Sequence, residues 1–194
     1  MSTSALKKSG NSFRYVNIKN GKLVVKNTSN EDEFFDTIDG VITKIEFKEK
    51  EYQNRKYEVA EININNVGER FILSISVDSG YFRGFINSLR SSKPTELLTI
   101  KPFMKESDGK RQTTCFINQN DTAMKFFFTK DKMGDFPEAI PVVVGGKTIY
   151  DNTKQTQYWK NWLASVYTEA HQETNSISTY EMPNDADMID DLPF

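Results

Sequence analysis

The 194-residue chain has a single cysteine, Cys115, and a single histidine, His171, and this scarcity narrows the chemistry open to it. One cysteine cannot form an internal disulfide, and neither a zinc site nor a Cys-His nucleophile pair finds support in these two residues. No apolar run approaches the roughly 20 residues that cross a bilayer, and residues 1–10 do not resemble a signal peptide. We therefore expect a cytoplasmic protein that is not an enzyme, with no metal, no other cofactor and no membrane partner.

A glycine is also missing where a phosphate-binding loop would need one. Gly145-Gly146-Lys147-Thr148 follows three valines and resembles such a loop superficially. The motif opens with a glycine five positions before its second glycine, and Pro141 stands there. The segment is interpreted as a turn between two strands.

Basic residues are absent from the last part of the chain. All 25 Lys and Arg residues lie at or before Lys160, and 20 acidic residues lie in the same part of the chain, so its net charge is +5. The seven acidic residues from Glu169 onward give the rest of the chain a charge of −7. This asymmetry favours a polyanion-binding body with an acidic tail.

The body alternates apolar and polar residues in the manner of β-strands. Asn20-Gly21 predicts a hairpin between residues 13–18 and 22–26. Strand patterns follow over residues 34–48, 55–65 and 70–77. Phe82, Phe85, Ile86 and Leu89 then have helical spacing, with Asp78 or Ser79 as the cap.

Two further strand patterns, over residues 97–105 and 111–119, follow this helix. Three strands, a helix and two strands are the order of the five-stranded OB-fold Greek-key barrel, which binds single strands on its second and third strands and in two neighbouring loops. We thus predict a mainly β protein built on an OB barrel, with other small barrels and α+β folds as the alternatives that share this order. Residues 124–129 could add a strand, and an aromatic helix is expected over residues 151–172.

Cations interleaved with aromatic residues are what nonspecific binding of single-stranded nucleic acid requires. The predicted first barrel loop, the third strand and the fourth and fifth strands carry such residues, and the barrel would bring them together. The candidate binding residues are Lys50, Tyr52, Arg55, Lys56, Tyr57, Arg70, Lys101, Phe103, Lys105, Lys110 and Arg111. Strand charges are often merely solvated and strand aromatics often packed, and for that reason Phe47 and Phe116 are left out.

The last five residues are Asp190, Asp191, Leu192, Pro193 and Phe194. They resemble the acidic tip of bacterial single-stranded DNA-binding proteins, Asp-Asp-Asp-Ile-Pro-Phe, except that Ile189 replaces the first acidic residue. Residues 30–170 are weakly similar to the OB-fold single-stranded DNA-binding proteins of tailed bacteriophages, notably in the stretch from Lys125 to Asp131. In the bacterial single-stranded DNA-binding proteins the acidic tip docks on replication, recombination and repair proteins, and the resemblance implies the same role for residues 190–194.

The resemblance implies three regions: a flexible arm at 1–12, an OB-fold single-stranded DNA-binding domain at 13–172, and a disordered acidic tail at 173–194. The expected function is protection of exposed single strands without sequence preference, in the cytoplasm of an infected bacterium if the protein is phage-encoded. Two alternatives stay open, a protein-interaction module and an RNA-binding protein, and homo-oligomerisation is undecided.

Overall fold

The computed structural model describes residues 13–176, without the side chains of residues 168–176. Nine of its strands form one sheet. They are β1 Phe13–Lys19, β2 Lys22–Lys26, β3 Asp32–Phe35, β4 Ile38–Tyr52, β5 Arg55–Asn66, β6 Glu69–Ser76, β7 Leu97–Ser107, β8 Lys110–Gln119 and β9 Thr122–Ala123. A separate hairpin follows, β10 Ile140–Val144 and β11 Lys147–Asp151. The helices are α1 Gly80–Leu89 and α2 Thr153–Ser176.

The strands of the large sheet lie in the order β3-β2-β1-β6-β5-β4-β7-β8-β9. Neighbouring strands are antiparallel except β1 and β6, which are parallel. The prediction of a mainly β fold is confirmed, and helix α1 lies between β6 and β7 as predicted. In the described part of the chain, however, β6 does not pair with β8 and the sheet does not close, so a five-stranded barrel is not confirmed.

Tight turns at residues with positive φ join the hairpins. Asn20 and Gly21 have φ of 50° and 77°, and Gly145 and Gly146 have 57° and 76°. This left-handed region suits two-residue hairpins that follow the strand twist. The Gly145-Gly146 segment is thus a strand-to-strand turn, as the sequence predicted, and no helix follows it directly.

Helix α1 lies directly against β8. Ser79 caps it, accepting a hydrogen bond at Oγ from the Phe82 amide at 3.1 Å. A Cβ placed on Gly84 would lie 2.2 Å from Thr114 Oγ1 and 2.6 Å from the Cys115 nitrogen, so only glycine permits this approach. Phe82, Phe85, Ile86 and Leu89 are all buried in the core, as their helical spacing predicted.

Helix α2 is held by an aromatic cluster beside the sheet. Trp159 is buried and lies 5.6 Å from the Phe128 ring and 5.1 Å from the Phe136 ring, centroid to centroid. The guanidinium of Arg90, at the end of α1, sits 4.7 Å from the centre of the Phe127 ring. The extra strand predicted over residues 124–129 is wrong, because Phe127 and Phe128 leave the sheet to join this cluster.

Candidate functional site

One side of the sheet turns away from the core across β1, β6, β5 and β4. Directly opposite residues of neighbouring strands point to the same side, and alternate residues along a strand do so too. The registers place Tyr15 opposite Ile72, Ser74 opposite Glu61, and Tyr57 opposite Lys50. We call this surface the outer face; it carries Phe13, Tyr15, Arg70, Ile72, Ser74, Lys48, Lys50, Tyr52, Arg55, Tyr57, Val59 and Glu61.

A buried carboxylate organises the cations at the centre of the outer face. Glu61 accepts from Lys48 Nζ at 2.6 Å and lies 2.9 Å from Lys50 Nζ, which also donates to Ser74 Oγ at 3.3 Å. Burial of Glu61 opposes its ionisation, but the hydrogen bonds and charges of the two lysines outweigh that effect and lower its pKa. In turn, the hydrogen bond and charge of Glu61 raise the pKa of Lys48. Two ammonium groups are thereby fixed beside the Glu61 carboxylate. Glu46, opposite Glu61 on the same face, lies 2.9 Å from Lys44 Nζ, so these three lysines and two glutamates together carry one net positive charge.

Two exposed tyrosines border this cationic centre. Tyr15 is 62% exposed on β1, and its phenol is near enough to Lys48 to contribute to the raised pKa of that lysine. Tyr57 lies opposite Lys50 and is 38% exposed. Cations flanked by accessible rings can contact phosphates and bases of the same strand.

The hairpin between β4 and β5 extends the outer face. Tyr52 is 66% exposed. It is the last residue of β4 rather than part of a turn, because the turn is only Gln53 and Asn54, with φ of 49° and 60°. Arg55, opposite Tyr52, is also exposed on this side. Lys56 points to the other side, where its Nζ lies 2.8 Å from Glu49 Oε1.

A groove of about 320 Å³ runs from Lys50 and Tyr57 to Tyr81 at the start of α1. The turn between β1 and β2 borders it, since the Gly21 amide donates to Tyr81 Oη at 2.8 Å. The same turn contacts β7: a Cβ on Gly21 would lie 2.7 Å from the Met104 nitrogen. The β1–β2 turn therefore lies between the Tyr81 end of the groove and strand β7.

The β7–β8 hairpin carries a second aromatic and cationic surface. Lys101, Phe103 and Lys105 are exposed on one side of β7, as the alternation of the sequence predicted. The Phe103 ring lies 6.0 Å from Phe116, which stacks on Phe126 at 6.2 Å with an interplanar angle of 12°. We call these three rings the phenylalanine row.

The basic residues at the hairpin turn divide between its two sides. The β7–β8 register puts Lys110 opposite Ser107, on the side of the phenylalanine row. Arg111 lies opposite Glu106 on the other side, and its Nε is 3.2 Å from Glu106 Oε2.

Arg70 lies on the outer face but far from the groove. It is at the start of β6, four positions before Ser74, the nearest residue of that strand that lines the groove; this spacing corresponds to about 13 Å. Its guanidinium is 5.9 Å from the centre of the Phe13 ring. The structure thus places most of the predicted residues at the groove, on the outward side of the β4–β5 hairpin or beside the phenylalanine row. Arg70 lies away from the groove, and Lys56 and Arg111 face the opposite sides of their hairpins.

Four surface residues that lie beside the candidates were not among the predicted binding residues: Phe13, Tyr15, Phe116 and Phe126. Phe13, Tyr15 and Asn17 are exposed alternate residues of β1, so the period-2 pattern of this segment indicated that Phe13 and Tyr15 share one side of the strand. Within the described residues, Arg55, Arg70, Lys101, Lys105 and Lys110 take part in no ion pair and so present uncompensated charge. The predicted tip, Asp190 to Phe194, lies outside the described residues.

No family model, curated protein or solved structure matches this chain. Neither helix of the described residues has the apolar length that a membrane span requires. Cys115 is buried in the core and burial raises the pKa of its thiol, which makes it a poor nucleophile.

Proposed function

We propose that this protein binds single-stranded DNA without sequence preference. The observation that carries the proposal is the outer face, where exposed Tyr15 and Tyr57 border the lysine pair fixed by Glu61. Ammonium groups bind phosphates whatever the base, and every base has a face that can stack on a tyrosine ring. Such a surface favours an unpaired strand, whose bases are free to leave the stack.

The strand order supports an OB-type core for this function. The strands β6, β5, β4, β7 and β8 are consecutive neighbours in the sheet, and α1 lies between β6 and β7 in the chain. In an OB fold the ligand lies on the second and third strands and contacts the loops after the first and fourth strands. Those elements correspond to β5, β6 and the turns of the β4–β5 and β7–β8 hairpins, which carry the exposed cations and rings.

Each part of the surface has a distinct role in this proposal. Lys48 and Lys50 neutralise phosphates at the centre, and Tyr15, Tyr52 and Tyr57 stack on bases. The strand continues through the groove to the β7–β8 hairpin, where Lys101 and Lys105 hold phosphates beside Phe103. Arg70 with Phe13 extends the track at the other end of the outer face.

The acidic tip completes the proposed function by recruiting partners. The Phe194 ring fits an apolar pocket, the carboxylates of Asp190 and Asp191 meet basic side chains beside it, and Pro193 reduces the entropy lost on binding. The partners are replication, recombination or repair proteins, and the protein acts in the cytoplasm of a bacterial host if it is phage-encoded.

The test is a binding titration with a fluorescent oligo-dT at several salt concentrations. We expect affinity to fall steeply with salt, because counterions are released from the phosphates on binding. Duplex DNA of the same length should bind more weakly. A salt-independent affinity, or equal binding of duplex, would contradict the proposal. A ribo-oligomer of the same length tests the alternative of RNA binding, which a clear preference for RNA would favour.

A further inference from the structure

The β10–β11 hairpin is an apolar element whose surface is open to solvent. Val142, Val143, Val144, Ile149 and Tyr150 are all exposed, and Val143 is 71% exposed. All ten residues of its strands are exposed. Isolated two-stranded hairpins are marginal in water, and monomeric proteins rarely display contiguous apolar patches. The hairpin thus has the character of a contact surface.

One edge of this hairpin can extend a β-ladder. Within the described residues β10 and β11 pair only with each other, so each has a free edge. Pro141 lies in β10 and has no amide hydrogen, which weakens that edge as a partner. Strand β11 contains no proline and carries Lys147 next to the turn.

The same chain offers a matching acceptor at the end of the large sheet. Strand β3 pairs only with β2 in the described part of the chain, and its Phe34 and Phe35 are exposed. Beside β3 opens a cleft of about 200 Å³ whose wall includes Phe35, Leu23 and Val16. The rim of this cleft bears Asp39 and Glu69 against one guanidinium, that of Arg14, and is therefore net acidic.

The hairpin and this acceptor lie at opposite ends of β5. Tyr150 and Asp151 border a cleft that includes Glu58, whereas the acceptor cleft includes Asn66. Eight residues of extended strand separate Glu58 from Asn66, about 26 Å. A donor surface at one end and an acceptor at the other associate head to tail, not by a closed two-fold contact.

We propose that the β10–β11 hairpin of one copy docks on the free edge of β3 and the adjoining apolar cleft of a second copy. The ladder continues from β3 through β11, Val142 and Val144 cover the cleft, and Lys147, opposite Val144 on the same side of the hairpin, meets the acidic rim. Repetition of the contact produces a chain of subunits. The contact does not depend on DNA, so its test stands apart from that of the proposed function.

The experiment is sedimentation velocity of the full chain without DNA over a hundredfold range of concentration, at low and high salt. We expect the wild-type mass to rise with concentration above the 22.3 kDa of one chain, and to rise less at high salt. Val144→Asp, on the same side of the hairpin as Lys147, and Phe35→Asp should each weaken association at least tenfold. Asn120→Asp is the control for an added negative charge, because Asn120 is exposed in the β8–β9 turn and lines neither cleft.

A mixture of the two variants tests the head-to-tail geometry. Val144→Asp retains an acceptor and Phe35→Asp retains a donor, so together they should form one-to-one dimers that grow no further. Lys147→Glu, at an exposed position that leaves the core intact, should weaken association at low salt even if Phe35→Asp impairs folding. A wild-type mass of one chain throughout would overturn the proposal. So would self-association that survives Phe35→Asp or Lys147→Glu, or a mixture that does not dimerise.

Discussion

Tyr52 and Tyr150 are 66% and 64% exposed, but they lie on different surfaces of the molecule. Tyr52 extends the outer face, and Tyr150 is on the β10–β11 hairpin. If Tyr52 stacks on a base, Tyr52→Ala should weaken binding of a short oligo-dT by about 1–3 kcal/mol. Tyr150→Ala should leave this affinity unchanged when the oligonucleotide is short enough to bind only one protein molecule. Equal effects of the two substitutions in a fluorescence-anisotropy titration would argue against stacking at Tyr52.

Phe103 provides a second test of stacking, on the other side of the groove. It is half-exposed between Lys101 and Lys105 on β7. It lies at the end of the phenylalanine row, where its neighbour is the Phe116 ring. Phe103→Ala should weaken oligo-dT binding by about 1–3 kcal/mol, whereas Phe103→Trp should retain it because a larger ring still stacks. Full affinity of Phe103→Ala, measured in the same titration, would confine the binding surface to the outer face.

Glu61 makes the stability of the outer face depend on pH. Its pKa is lowered from the ordinary value of 4.5, so its ion pairs stabilise the folded state above that value. The contribution is lost as pH falls through the lowered folded-state pKa. Glu61→Gln should therefore reduce the free energy of unfolding by about 1 kcal/mol at pH 7, since both lysines are partly exposed, and by much less near pH 3.

Urea unfolding of wild type and Glu61→Gln at the two pH values measures this difference. Glu106→Gln is the control: its ion pair with Arg111 is exposed on both sides, so stability should change little at either pH. A cost of Glu61→Gln that is as large at pH 3 as at pH 7 would show that the ionised carboxylate is not the stabilising species.

At the scale of elements, glycine decides how closely α1 approaches β8. In an exposed helix interior, replacing glycine by alanine stabilises by about 0.5–1 kcal/mol. At Gly84 the added Cβ would meet Thr114 and the Cys115 backbone, so Gly84→Ala should instead destabilise by about 1–3 kcal/mol. Chemical denaturation checks the sign, with Arg83→Ala on the exposed side of α1 as control. A more stable Gly84→Ala protein would mean that α1 can move away from β8.

Local signals account for the elements that the sequence predicted well. Asn20-Gly21 determines a turn through its own φ preferences, and Ser79 caps α1 through a contact three residues away. Non-local contacts account for the features that could not be predicted from the sequence. Tyr15 belongs to the outer face because β1 pairs with β6, more than fifty residues later, and no local pattern encodes that pairing. The strand predicted over residues 124–129 does not form, because Phe127 packs on Arg90 and Phe128 packs on Trp159.

At the scale of the whole molecule, the charges of the two regions oppose each other. The body before Glu169 carries a net charge of +5 and the remainder −7, and five of those acidic residues follow Tyr180. The cations without ion-pair partners in the described residues, such as Lys101 and Lys105, attract any nearby polyanion. The acidic tail and a DNA strand present the same sign of charge, so they should compete for the same surface.

Truncation after Tyr180 should therefore tighten oligo-dT binding at low salt, and the gain should disappear as salt screens the tail. Phe194→Ala keeps every acidic side chain and should bind DNA like the wild type, which separates the charge of the tail from its tip. Anisotropy titrations at two salt concentrations measure both effects. If truncation left the affinity unchanged at low salt, the tail would not occupy the DNA surface. If it weakened binding, the acidic residues would assist the complex, for instance by keeping the free protein dispersed.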